Sequence, residues 1–78
     1  MDILIFKTNV STRQHVESVR PYLHTLREIF KWNFDLLDDE FILRIEADHA
    51  LNPRKVESTL HSAGYDCKEL GTFTSAQY

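Results

Sequence analysis

Seventy-eight residues suffice for one compact domain and exclude two, and a chain this short buries only roughly 60 % of the surface its unfolded form exposes, too little for a deep, dry catalytic cavity beside a core. Hydrophobic residues at 42 % and charged residues at 27 % belong to a globular chain, not to a disordered or fibrous one. Nine basic against twelve acidic residues give a net charge of -3, which repels a phosphate backbone, so nucleic acid is not an expected partner.

In chain order, Ile3-Leu4-Ile5-Phe6 is a short branched run, apolar on both faces, that suits a central strand ending at Lys7-Thr8-Asn9. Ser11 followed by Gln14 has capping-box spacing and predicts a helix start. Val16, Val19, Leu23 and Leu26 then form an apolar stripe, with Arg13, Glu17, Arg20, His24 and Arg27 on the wet side. Pro21 lies inside this helix and predicts a kink that exposes the Glu17 carbonyl.

From Ile29 the period changes to two. Phe30, Trp32, Phe34 and Leu36 alternate with Lys31, Asn33 and Asp35 as a second strand. Leu37-Asp38-Asp39-Glu40 turns the chain, and Phe41, Leu43 and Ile45 alternate with Ile42, Arg44 and Glu46 on the way back. Asn52 caps and Pro53 opens a second helix, with Leu51 stapling onto Val56. Val56, Leu60 and Ala63 are its buried stripe and Gly64 its left-handed stop. Tyr65 to Leu70 supplies a short fourth strand, and the polar tail Thr72–Tyr78 is expected to fray, giving one domain over residues 1–71.

A β-α-β-β-α-β order of this kind predicts an α/β (α+β) ferredoxin-like sandwich: a four-stranded antiparallel sheet, order 4-1-3-2, with both helices on one face. The other face stays open. If Leu4, Phe6, Trp32, Phe34, Leu36, Phe41, Leu43, Ile45 and Cys67 face the helices, Ile3, Ile5 and Ile42 point outward and form a candidate interface rimmed by Lys7, Lys31, Arg44 and Glu46.

Thr8 to Val16, Ile29 to Leu36, Asn52-Pro53-Arg54-Lys55-Val56 and, above all, Ala63-Gly64-Tyr65-Asp66-Cys67 resemble the heavy-metal-associated domain, the family of copper chaperones and metal-pumping ATPase modules. The resemblance runs from the first strand to about Leu70. It implies the same fold, and it implies a metal loop of the form Met-Thr-Cys-x-x-Cys whose two thiolates hold a soft cation. Aligning Thr8 with the loop's threonine places Lys7 at the methionine and Asn9 and Thr12 at the two cysteines. Both sulfur ligands are therefore absent, and no metal or other cofactor is expected.

The remaining chemistry-bearing residues form no constellation. His15, His24, His49 and His61 contain no helical i, i+4 pair, and Asp48-His49, the best residual pair, is expected at the sheet end opposite Asn9. Cys67, the only cysteine, replaces an apolar core residue and is expected to be a buried, inert thiol. Asp38-Asp39-Glu40 reads as a solvated turn, and Trp32 with Phe34 as core aromatics rather than base-stacking platforms. Only Gly64 and Gly71 occur, so no glycine-rich phosphate loop exists. No apolar run approaches the roughly 18 residues of a membrane span, and Met1 to Val10 has neither a basic start nor a small-residue cleavage site, so a cytoplasmic protein without membrane partners is expected. Three functions stay open at this point. The first is a non-catalytic interaction module that self-associates or docks another protein. The second is a carrier of metal or small ligands using non-cysteine donors near Asn9, Thr12 and His15, and the third is an enzyme, for which no residue set speaks.

Overall fold

The structure, a computed structural model, describes residues 1–74. The branched run Ile3–Phe6 lies within β1 (Asp2–Thr8), where Leu4, Phe6 and Thr8 are buried while Ile3 and Ile5, on the other side of the pleat, are half-buried. α1 (Arg13–Leu23), β2 (Ile29–Asp35), β3 (Ile42–Ala47), α2 (Pro53–Ser62) and β4 (Cys67–Thr74) follow in the predicted order. The strands form one antiparallel sheet ordered β2-β3-β1-β4, which is the predicted 4-1-3-2 read from the other edge. Val19 and Leu23 of α1 and Val56 and Leu60 of α2 share one core with Leu4, Phe6, Leu43 and Ile45. Both helices therefore cover the same side of the sheet, and each such side chain stabilises the fold by about 1.5–3 kcal/mol.

α2 starts and stops as its sequence dictates. Asn52 Oδ1 accepts from the Arg54 N–H at 2.9 Å, Pro53 is the first helical residue, and Leu51 and Val56 are both buried. At the far end Gly64 has φ +93°, and the N–H groups of Gly64 and Tyr65 donate to the carbonyls of His61 and Leu60. These two bonds make a Schellman stop, which needs a residue tolerant of the left-handed region.

α1 departs from its prediction at both ends. Its cap is Thr12, not Ser11: Thr12 Oγ1 accepts from the His15 N–H at 3.1 Å, and the Ser11 N–H donates to His15 Nδ1 at 3.2 Å. The cap expected of Ser11 is thus shifted one residue along to Thr12, and the His15 ring takes the Ser11 N–H in place of the return bond expected from Gln14. At the other end Pro21 sits in the last turn, and the helix stops at Leu23 instead of running on to Leu26. Leu26 still reaches the core, from a turn closed by its N–H to the Leu23 carbonyl.

Each outer strand has a register shift that breaks simple alternation. Between Ile29 and Lys31, Phe30 is an extra residue, 64 % exposed, and so escapes the burial that Trp32 and Phe34 share. Between Ile5 and Phe6 the partner shifts from Gly71 to Glu69, which makes Leu70 the extra residue of β4. Phe41, expected to open the third strand, instead closes the hairpin loop at φ +47°, its N–H donating to the Asp38 carbonyl. β4 begins at Cys67 rather than Tyr65 and passes the predicted boundary at Gly71: Thr72, Phe73 and Thr74 pair with Leu4, Ile3 and Asp2 instead of fraying. The rest of the predicted tail, 75–78, lies outside the described residues.

Candidate functional site at the sheet tip and the open face

The tip where β1 runs into α1 is held by polar side chains bound to backbone. Thr8 Oγ1 donates to the Phe41 carbonyl at 2.6 Å and accepts from the N–H of buried Val10 at 3.1 Å. One hydroxyl thereby fixes both the loop and the hairpin turn beside it. Asn9 Oδ1 accepts from the Asp66 N–H at 2.8 Å and its Nδ2 donates to Asp66 Oδ2 at 3.4 Å, clamping the β1 end to the segment entering β4. Thr12 is engaged as the helix cap. Lys7 stands outside this cluster, 3.8 Å from Glu40 across a half-exposed pair.

The other predicted candidates are scattered. His15 packs against the Tyr65 ring with centroids 5.3 Å apart, and its Nδ1 accepts from the Ser11 N–H at 3.2 Å. His24 lies 6.0 Å from the Trp32 ring, and His61 is exposed on α2. His49 Nδ1 is 3.9 Å from Asp2 Oδ1, at the end of the sheet opposite Asn9, as the antiparallel topology requires. Among the described residues no three His, Cys, Asp or Glu side chains come close enough to hold a metal ion. The carboxylates of the hairpin turn the chain: Asp35 Oδ1 accepts from the Leu37 N–H and Asp38 Oδ1 from the Glu40 N–H. Cys67 is buried beside Thr8, and its thiol is pushed up to about 12, first by burial and then by the Glu57 carboxylate.

The open face collects the three isoleucines and one residue that the sequence places in the tail. Ile3 pairs with Glu46 on β3 and Phe73 on β4, and Ile5 with Arg44 and Gly71. A side chain at Gly71 would strike the Phe73 ring, its Cβ 3.2 Å from the ring edge, so that ring lies over the glycine and beside Ile3 and Ile5. Ile42 sits diagonally from Ile5 and pairs with Asp35. Phe73 was hidden because a Gly and a short polar stretch precede it. The period-two spacing of Thr72, Phe73 and Thr74 was the available signal.

No protein-family model matches the chain, and no curated protein matches it in sequence. Solved structures do. The yeast copper transporter domain Ccc2a superimposes with a TM-score of 0.78 at 14 % identity, over 91 % of this chain and 97 % of that one. The first domain of the human copper chaperone for SOD1 gives 0.73 at 17 %, over 90 % and 93 %. A chain of the Atx1–Cu(I)–Ccc2a complex gives 0.75 at 14 %, over 91 % and 97 %. The fold is that of the heavy-metal-associated domains. At these identities the likeness is one of fold, and the donors must be judged on their own chemistry.

Judged so, they do not suit a soft cation. Asn9 offers an amide oxygen and Thr12 a hydroxyl, both neutral and hard, and both already accept backbone hydrogen bonds. Lys7 adds positive charge nearby. Cys67, the one sulfur ligand present, is buried and held as the protonated thiol, whereas metals bind the thiolate.

Proposed function

We propose that this protein is a non-catalytic interaction module that self-associates through its open sheet face. The observation carrying this reading is the apolar strip of Ile3, Ile5, Ile42 and Phe73, with Phe73 61 % exposed, on a face that neither helix covers. Its charges favour a second copy. Arg44 and Glu46 stand two residues apart on β3, both on this face beside Ile5 and Ile3. A two-fold axis through the strip would set each Arg44 against the Glu46 of the other copy, the self-complementary pattern of an isologous contact. Docking of proteins also has a counterpart among the similar structures, one of which belongs to the Atx1–Cu(I)–Ccc2a complex.

The carrier reading is weaker because its donors near Asn9, Thr12 and His15 are occupied by backbone partners. Analytical ultracentrifugation over a concentration series tests the first reading. The wild type should move from monomer to dimer with rising concentration. Ile5→Lys with Ile42→Lys should remain a monomer throughout, with unchanged circular dichroism and thermal midpoint. A wild type that stays monomeric at every concentration removes the proposal.

A further inference from the structure

A second surface, separate from the open face, lies where α1 meets the outer edge of β2. β2 is the last strand of the sheet, so alternate residues of its regular stretch, Lys31 to Asp35, present unpaired N–H and C=O groups along the free edge. α1 does not close over that edge and leaves a groove of about 550 Å³. Its floor is apolar: Trp32 and Phe34, both half-buried and edge to face at 5.8 Å, with Val16 from the helix.

The rim is cationic. Arg13, Arg20 and Lys31 line the groove against a single acid, Glu17. Arg20 grips that acid with both ends of its guanidinium fork, at 3.1 and 2.9 Å, which holds the Glu17 carboxyl below its ordinary value. Arg13 and Lys31 make no ion pair among the described residues. A chain with a net charge of -3 thus concentrates unmatched positive charge beside an open strand edge.

We propose that this groove binds an extended acidic peptide segment, added to β2 as a fifth strand. An extended chain supplies the N–H and C=O groups that the edge lacks, and it points successive side chains to opposite sides. Acidic residues on the open-face side meet Lys31, while apolar ones on the helix side rest on Trp32 and Phe34, with Arg13 at the rim of the groove. A single-stranded nucleic acid matches the cations but not the edge. It would also have to displace Arg20, whose guanidinium lies 5.2 Å from the Trp32 ring centre, before a base could stack there.

Trp32 is the only tryptophan, so its emission reports on the groove directly. The probe is a seven-residue peptide alternating glutamate with valine, matched to the length of β2. It is titrated into the wild type and into Ile5→Lys with Ile42→Lys, which separates this surface from the sheet-face contact. Both proteins should give the same saturable change in Trp32 emission, together with slowed amide exchange in alternate residues between Lys31 and Asp35. Arg13→Glu with Lys31→Glu should weaken binding about tenfold or more, and a peptide alternating lysine with valine should not bind. Absence of saturation, equal binding of the lysine peptide, tighter binding of oligothymidylate, or binding without slowed exchange in β2 would each overturn the proposal.

Discussion

The two ends of the candidate site handle side chains in opposite ways. At the tip, Thr8, Asn9 and Thr12 are polar and each is bound to a backbone group: Thr8 to Val10 and Phe41, Asn9 to Asp66, Thr12 to His15. On the open face, Ile3, Ile5 and Phe73 are apolar, and neither helix packs over them. The tip is a structural joint, since residues engaged in caps and clamps have little left to offer a ligand. The face leaves its apolar area uncovered, and that area is what the proposed self-association would bury.

Three experiments break or sharpen that contrast. The largest effect is expected at Cys67, on the covered side of the tip. Its thiol titrates at an ordinary value of 9.0 in the unfolded chain and at about 12 in the folded one. The folded state therefore holds the extra proton between those values, so the contribution is intact below pH 9 and is lost as pH rises towards 12. By pH 11 the loss should reach about 2.5 kcal/mol relative to Cys67→Val, read from urea unfolding of both proteins at each pH. A parallel pH dependence in the two proteins would show that the thiol is not shielded.

Next, Thr8→Val keeps the shape of the side chain but strands the buried Val10 N–H. It should cost about 2 kcal/mol by denaturant unfolding, and the same assay should find Ile5→Lys with Ile42→Lys nearly neutral. The reverse order would mean that the face, not the tip, is the structural joint. The smallest effect is at Thr12, where alanine removes the cap of α1. A loss of about 1 kcal/mol is expected, with increased amide exchange in the first turn of α1. No loss would return Thr12 to the pool of free donors.

Much of the fold is written in local rules. Asn52-Pro53 and Gly64 fix α2 to the residue, and the alternation of Leu43 and Ile45 with Arg44 and Glu46 fixes which side of β3 is covered. What escaped is the pair of one-residue bulges. Phe30 and Leu70 each add a residue that the periodicity cannot count, and one residue is enough to shift every pairing beyond it. Phe41 escaped for a similar reason: hydrophobicity places it in a strand, but hairpin closure rotates its backbone to positive φ. At the tip, missing sulfur ligands were legible by inspection. The bond between Asn9 and Asp66 was not, because no periodicity links residues 57 positions apart. The groove beside β2 was equally hidden, since it needs Arg20 of one element to stand over Trp32 of another.

That long-range clamp also bears on how the chain assembles. Closing Asn9 onto Asp66 joins segments 57 residues apart, and the closure entropy is offset by the pairing of β1 with β4 alongside it. The joint at the tip thus ties the outermost strand to the first at the end where their pairing begins.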